Sequence, residues 1–554
     1  MLLLVASMYD QVRSTMLIES SLLEDVQILR VFSFSLLFIF GVWWARSLSV
    51  QLDPREPPAL NPKVPIVGHV WGLMRHAHGY INSLYRQSGH SIYTLPLLHR
   101  KVYVINSPTL VQAAFANRRL SFMPFVVDFV RRMDELSPSA RGIYADIHPQ
   151  VMQSISTHMT GKQLKRMNSV QLKEFLPYLP EDGVVLEVEN LWFWLRDILT
   201  VGTTSMLFGA RDNPWKKHPS LVKAYWNFEA GDPSRRFNLT AVGNRQTTMY
   251  HATMHAALIE YFETCYDSSI ASEDSDVAEM IRDAVALQRR SGFNVKDVAA
   301  SQLAIVHGSI VSTVPTAFWA IAYAFSQPEL LAKLREDALA AVTFEDIGDT
   351  GMRRAIVLND QIDVVCPLLM ATLHETQRLV SIGLLHRRVL EDTQVSEGVG
   401  EAKRTYLLKK GTAVFLASGP SHRDEQIWGE ASDEFRLDRL DRLQESAVGQ
   451  AYPNGHDKAK QVVRSRNKAY FPFGGGKELC PGRNFAASEA LSTLLVMVLG
   501  FDIAAPDGTP LKIPSFSPPK MTASVARPHK DADLRVDIKR RVGWENVIWG
   551  VSPD

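Results

Sequence analysis

The chain has 554 residues, with 60 Lys and Arg against 59 Asp and Glu, a net charge of +1, and 46% hydrophobic residues. This near-neutral balance argues against a nucleic-acid partner. The chain has three cysteines, Cys265, Cys366 and Cys480. A small and odd number of cysteines does not suit a disulfide framework, so it indicates a reducing compartment. The chain lacks a Gly/Ser/Pro linker after residue 70 and any repeat, which favours one large domain.

An uncharged apolar run follows a mixed, slightly acidic segment at residues 1–30. Residues 31–45, VFSFSLLFIFGVWWA, are short for a membrane span of about 20 residues. Trp43 and Trp44 lie where an aromatic belt would meet the membrane interface. The run predicts a transmembrane anchor at 31–46, with a buried helix or a signal peptide as the alternatives.

Basic residues follow this run, beginning with Arg46 and Arg55, whereas the N-terminal side has more acids than bases. The positive-inside rule then leaves most of the chain in the cytosol. Five prolines lie between residues 54 and 65, and proline resists helix because it fixes φ and lacks an N–H. We therefore expect a stiff hinge at 47–70.

The next segments alternate between strand and helix patterns. Residues 91–106 predict two short strands around a turn. Most of the chain from 150 to 300 has the pattern of helices with polar connections.

A long apolar run at 301–326 predicts a helix with an internal proline, Pro315. A proline inside a helix costs about 3 kcal/mol and leaves the carbonyl four residues earlier, that of Val311, without its donor. Two other interpretations stay open: a kink that serves packing only, and a second membrane span, which His307 disfavours.

The segment around which the chain is organised is FPFGGGKELCPGRNFA, residues 471–486. Its three glycines permit a tight turn, because glycine tolerates positive φ. Cys480 follows this turn, and the apolar residues after it predict a helix. A thiol at a helix N-terminus is expected to ionise more easily than a free thiol. Such a thiolate is suited to be an axial haem ligand.

Two other interpretations of this segment are weaker. One is a structural cysteine beside a glycine turn. A phosphate-binding loop is excluded, because Glu478 stands where Ser or Thr is needed and Phe471 stands where the first glycine belongs.

The spacing of Phe473, Gly476, Cys480 and Gly482 matches F-x-x-G-x-x-x-C-x-G. This pattern resembles the haem-binding signature of the cytochrome P450 family. The resemblance implies haem b as the cofactor, with Cys480 as the metal ligand and axial thiolate. It departs from the family at Glu478, where Arg or His is usual, so Lys477 is expected to supply the positive charge near a haem propionate.

The fold implied by this resemblance is mainly α with small β-sheets. A single catalytic domain at 71–541 would lie behind the membrane anchor, and residues 542–554 would form a tail. Residues 120–147 would be the loop over the distal haem face that contacts substrate, with a helix packed in the core as the equal alternative.

Two further motifs support the resemblance. Glu375 and Arg378 form E-x-x-R, whose members share one helix face. With Arg439 they would make the buried charge network that holds the cysteine loop in this family. Arg387, or else its neighbour Arg388, would bind a haem propionate.

The helix at 301–326 would cross the haem. The family's usual acid and threonine are Ser312 and Thr313 in this chain, and these are the expected catalytic residues that hold and deliver protons. The proline two residues after Thr313, followed by Ala-Phe-Trp, is similar to the branch that contains sterol 7α-hydroxylases and prostacyclin synthase.

The resemblance implies a monooxygenase that inserts one atom of O₂ into a small lipophilic substrate, terpenoid or sterol-like, in secondary metabolism. NADPH–cytochrome P450 reductase would supply electrons, and a basic insertion at 444–468 is one place where it could dock; a solvated loop is the alternative. The expected location is the endoplasmic reticulum membrane, in a single pass. Two alternatives are a reductase-independent isomerase of an oxygenated lipid and a non-catalytic haem-binding protein.

Overall fold

The computed structural model describes residues 52–62, 68–97, 100–133, 136–231, 245–267, 275–439, 456–517 and 524–552. The expected anchor at 31–46 and the segment before it lie outside this part of the chain. Helices predominate and the sheets are small. The fold is thus mainly α with small β-sheets.

The helices of the N-terminal half are α1 (Gly68–Ser88), α2 (Pro108–Ala116), α3 (Met123–Met133), α4 (Pro138–His158), α5 (Gly161–Phe175), α6 (Leu191–Phe208), α7 (Pro214–Lys217), α8 (Ser220–Gly231), α9 (Arg245–Glu260) and α10 (Glu279–Arg290). The helices that follow are α11 (Val295–Ile310), α12 (Thr313–Ser326), α13 (Pro328–Ala338), α14 (Ile362–Val365), α15 (Pro367–Val380), α16 (Ser418–His422), α17 (Glu425–Trp428), α18 (His456–Ala469) and α19 (Arg483–Gly500).

The largest sheet has the strand order β1-β2-β10-β7-β3. Its strands are β1 (Ile92–Leu97), β2 (Arg100–Ile105), β3 (Leu120–Ser121), β7 (Leu384–Val389) and β10 (Ala413–Ala417). β10 pairs in parallel with β2, and the other pairs are antiparallel. The two strands predicted within 91–106 are confirmed as β1 and β2.

The remaining strands form small sheets of two or three strands. They are β4 (Val185–Val188), β5 (Val342–Asp346), β6 (Arg353–Val357), β8 (Thr393–Glu397), β9 (Arg404–Leu408), β11 (Phe501–Ala504), β12 (Phe516–Ser517), β13 (Arg527–Pro528), β14 (Val536–Arg540) and β15 (Val547–Val551). β15 pairs in parallel with β6. Residues 547–551, which we expected within a tail, are therefore part of a sheet.

The main core lies where α12 packs against α6, α15 and α19. Every residue of α12 from Thr313 to Phe325 is buried. Residues 295–326 together are long and apolar enough to cross a membrane, but 72% of the most apolar window is buried inside the fold. This burial favours a core helix over a second membrane span.

The proline-rich segment is docked on the large sheet along the part that the structure describes. Leu60 N–H donates to the Thr94 carbonyl at 3.0 Å, and Thr94 N–H donates to the Pro58 carbonyl at 2.8 Å. Glu56 is 7% exposed and accepts from Tyr103 Oη at 2.6 Å and from Lys101 Nζ at 2.5 Å. The segment around Glu56 is therefore held against the domain.

Candidate active site

The cysteine loop is shaped by two glycines with positive φ. Gly474 has φ +75° and Gly476 has φ +69°, conformations that L side chains rarely adopt. A Cβ on Gly476 would also collide with the carbonyl of Phe115 in α2. The loop closes through a hydrogen bond from Cys480 N–H to the Phe473 carbonyl at 3.1 Å. Phe473, Gly476 and Cys480 thus lie in one turn.

Cys480 lies three residues before α19, with Gly482 at the N-cap of that helix. Burial raises the pKa of the Cys480 thiol, while the Gly482 N–H and the Arg483 charge oppose this rise without cancelling it. The expected easier ionisation at a helix N-terminus is therefore wrong for the protein alone, because desolvation outweighs the helix terminus. A coordinated metal ion would remove the thiol proton outright.

The Glu375–Arg378 pair lies on α15 and is completely buried. Arg378 donates from Nε and Nη2 to the two Glu375 oxygens, each at 2.8 Å. Arg439 lies in a short 3₁₀ turn and approaches Glu375 Oε1 with Nη1 at 3.3 Å. The three candidate network residues are thus in contact, with two guanidinium groups around one carboxylate.

Backbone carbonyls accept hydrogen bonds from other N–H groups of these two guanidinium groups. Arg378 Nη1 donates to the carbonyls of His422 and Ser432, both at 2.7 Å. Arg439 Nη2 donates to those of Glu430 and Ala431, at 2.9 and 2.7 Å. Because every bond reaches the segment 422–434, the network fixes that segment against α15.

His422 connects this network to the cysteine loop and was missed by the sequence analysis. Its carbonyl accepts from Arg378, and its Nε2 lies 3.2 Å from the N–H of Phe471, where the loop begins. Burial and the Arg378 charge lower the pKa of His422 to about 3, so the ring is neutral and can accept. The sequence around His422 carries no signal that separates it from other histidines.

The two arginines of β7 point in different directions. Arg387 is 5% exposed, and its Nη2 lies 3.4 Å from the Gly475 carbonyl in the cysteine loop. Arg388 donates to the Gly411 carbonyl at 3.0 Å and stacks on Phe125. Arg387 is therefore the arginine beside the loop, as strand alternation requires.

The charged side chain that contacts Arg387 is Glu478 and not Lys477. Lys477 is exposed, whereas the Glu478 carboxylate turns inward and lies 3.0 Å from Arg387 Nε. The side chain at this position thus brings a negative charge to the site where the family pattern has a positive one.

The run predicted as one helix with an internal proline is divided into two helices, and the interruption lies just before Pro315. α11 ends at Ile310 and α12 begins at Thr313, with a turn at Val311 and Ser312. Thr316 donates its N–H and its Oγ1 to the Ser312 carbonyl, at 3.2 and 2.8 Å. Pro315 has no N–H to give to the Val311 carbonyl.

The helix α11 is accessible at Gly308, close to its C-terminal end. Gly308 is exposed although its neighbours Val306 and Ser309 are buried, and a Cβ on Gly308 would meet nothing within 4 Å. Ala304 and Ser312, one turn to either side, are also partly exposed. Thr313 is buried at the start of α12.

The described residues within 120–147 include the strand β3, all of α3 and the first half of α4. Phe122 is 40% exposed, while Phe125 and Val126 are partly buried. The Phe125 ring lies 5.4 Å from that of His386 on β7. The side chain of Phe129 lies outside the described part of the structure.

A thiol on a glycine turn, a core helix accessible at Gly308 and a buried arginine beside the turn together fit haem. The fit is weakest at Glu478, whose carboxylate would share Arg387 with a propionate.

Comparison with known proteins agrees with this assignment. The family model described as cytochrome P450 matches residues 57–534. The chain belongs to the cytochrome P450 family. A cytochrome P450 monooxygenase of Gibberella zeae is 28% identical over 96% of this chain and 97% of its own length.

Sterol hydroxylases are also among the relatives of this P450. The 25-hydroxycholesterol 7-alpha-hydroxylase of Rattus norvegicus is 26% identical over 48% of this chain and 61% of its own length. A crystal structure of a cytochrome P450 (CYP102L1) superposes with a TM-score of 0.62 at 16% identity, and the match covers 88% of this chain and all of that one. The resemblance in fold is thus confirmed. Family membership implies haem held by a cysteine thiolate and electrons from a redox partner.

Proposed function

We propose that this P450 is a monooxygenase that inserts one oxygen atom into a small lipophilic substrate of terpenoid or sterol type, in secondary metabolism. The observation that carries the proposal is the Cys480 loop at the start of α19, a helix that packs against α12, with Thr313 at the interruption before α12. The sterol hydroxylases among the relatives support the substrate class.

In this proposal Cys480, Phe473, Gly476 and Gly482 would hold haem b. The bound haem supplies dioxygen activation and oxygen-atom transfer. Arg387 would bind one haem propionate. Glu375, Arg378 and Arg439 keep the loop rigid, through His422.

The chain's own contribution on the other side is proton delivery and exclusion of water. Thr313 is the first residue after the helix break, and Ser312 lies in the turn between α11 and α12 and is partly exposed. The Val311 carbonyl lacks its helical donor and can hold a water molecule beside them. Because this chain has no acid before Thr313, we assign proton transfer to these hydroxyls and water.

The proposed setting is the endoplasmic reticulum membrane, with residues 31–46 as a single-pass anchor and the domain in the cytosol. NADPH–cytochrome P450 reductase is the proposed electron donor. Arg464 and Lys468 on α18 and Lys477 in the cysteine loop are exposed, and these positive charges support an acidic partner. Arg466 does not belong to such a patch, because it donates to the carbonyls of Ile427 and Arg439.

The test uses the full-length protein with reductase, NADPH and ¹⁸O₂, and extracts from a host fed terpenoid and sterol precursors. We expect a product that carries one ¹⁸O atom and forms only with NADPH. Product formed without NADPH and without ¹⁸O would instead support the isomerase.

A further inference from the structure

The Glu478 carboxylate joins the cysteine loop to the start of α3. It accepts from the N–H of Phe122, which lies 2.8 Å from each of the two oxygens, and from Ser121 Oγ at 2.9 Å. It also forms the ion pair with Arg387 Nε at 3.0 Å. One side chain, two residues before Cys480, therefore contacts β3, the beginning of α3 and β7.

These contacts occur where α3 is initiated. The Phe122 carbonyl accepts from the N–H groups of Phe125 and Val126, at 2.8 and 3.3 Å. Ser121 Oγ accepts from Met123 N–H at 3.1 Å. A carboxylate at this end of a helix is also favoured by the helix dipole. Glu478 thus binds the first residues of α3 by hydrogen bonds and by charge.

We propose that Glu478 is a positioning residue that fastens α3 to the cysteine loop and so keeps α3 in place as a wall of the substrate space. This inference rests on the proposed function for the role of that wall. The family's usual Arg has no acceptor atom for the Phe122 N–H, and the usual His has no negative charge with which to pair Arg387. The acid therefore gives this chain a connection that the family pattern lacks.

The ion pair between Glu478 and Arg387 has a different role from the hydrogen bonds to α3, because it compensates the charge of Arg387. Arg387 is buried against Gly475 and the Phe115 ring, so its charge needs a partner. Glu478 supplies that partner and is itself neutralised. The partly buried carboxylate can then stay beside the loop while its oxygens bind the Phe122 N–H and the Ser121 hydroxyl.

The variants separate hydrogen bonding from charge. Glu478→Ala removes both. Glu478→Gln keeps an acceptor oxygen for Phe122 N–H and removes the charge. Lys477→Ala is the matched control, because Lys477 is the neighbouring residue of the same turn and its side chain is exposed.

The experiment measures hydrogen exchange within residues 122–126, whose amides are those of Phe122, Met123, Phe125 and Val126, in the full-length protein carrying haem. It also measures the association rate of carbon monoxide. In Glu478→Ala we expect exchange at 122–126 to rise about tenfold, the scale of losing hydrogen bonds to a charged group. Carbon monoxide should bind several-fold faster, since a loosened wall opens its path. Glu478→Gln should retain most of the protection, and Lys477→Ala all of it.

The proposal would be overturned if the amides at 122–126 exchanged equally fast in Glu478→Ala and Lys477→Ala. It would also be overturned if Glu478→Gln lost as much protection from exchange as Glu478→Ala. If Glu478→Ala fails to retain haem, the exchange comparison is made on the haem-free forms of all four proteins. Exchange at 122–126 does not depend on catalysis. A failure of the proposed monooxygenase activity would therefore be distinguished from a failure of this inference.

Discussion

Thr313 is the residue on which the proposed proton delivery depends most, because Ser312 replaces the usual acid. We predict that Thr313→Ala lowers product formed per NADPH by about tenfold or more, the scale of losing a positioned proton donor. Ser312→Ala should have a smaller effect. The measurement is product against NADPH consumed, with peroxide as the diverted product.

Ser309→Ala is the matched control for this experiment. Ser309 carries the same hydroxyl on the preceding helix, but the hydroxyl is bonded to the Ile305 carbonyl at 2.9 Å. An unchanged ratio in Thr313→Ala would contradict the proton relay and leave the haem site untouched.

Glu489 is a second residue with a measurable consequence, because it is buried in α19 with Thr203 as its hydrogen-bond donor at 2.7 Å. Burial raises the pKa of Glu489 from the ordinary 4.5 to about 8. Between these values the folded protein holds a proton that the unfolded chain releases, so stability falls as pH rises. The stabilising contribution is fully present below the ordinary pKa.

We predict that Glu489→Gln removes this slope. The unfolding free energy of the variant relative to the parent should increase by about 1 kcal/mol per pH unit between the two pKa values. Urea unfolding followed by circular dichroism at three pH values measures the difference. A difference that is constant with pH would mean that Glu489 titrates normally.

At the scale of elements, the buried network holds α15, the segment 422–434 and the cysteine loop together. We predict that Glu375→Ala yields protein that is expressed but does not retain haem, because two buried arginines lose their carboxylate at a cost of about 3–5 kcal/mol. Glu279→Ala is the control, since Glu279 also pairs with an arginine three residues on, but with both side chains about one-third exposed. Normal haem content in Glu375→Ala would contradict the assigned role.

The sequence predicted those features that depend on local rules. Three such features follow from backbone preferences: the glycine turn before Cys480, the interruption of the helix before Pro315, and the strands β1 and β2. The links made by His422 and Glu478 could not be predicted, because their partners are distant in sequence and meet only through packing. The sequence shows that Glu478 departs from the Arg or His that is usual in the family. It does not show that Glu478 contacts residues 121 and 122.

On the scale of the whole molecule, the question is how the domain meets the membrane. We predict that deleting residues 1–50 releases much of the protein from membranes and leaves haem binding intact. The deletion ends before the Glu56 contacts that hold the proline-rich segment on the sheet. Flotation with vesicles measures the effect. Full-length protein that salt alone removes from membranes would contradict the anchor.

The claim on which the account rests is that Cys480 is the thiolate ligand of haem. The most direct measurement is the difference spectrum of the ferrous carbon monoxide complex for Cys480→Ser, with Cys265→Ser and Cys366→Ser as controls. We predict that the parent and both controls show the red-shifted Soret band of thiolate ligation, and that Cys480→Ser loses it. A red-shifted band that persists in Cys480→Ser would contradict the account.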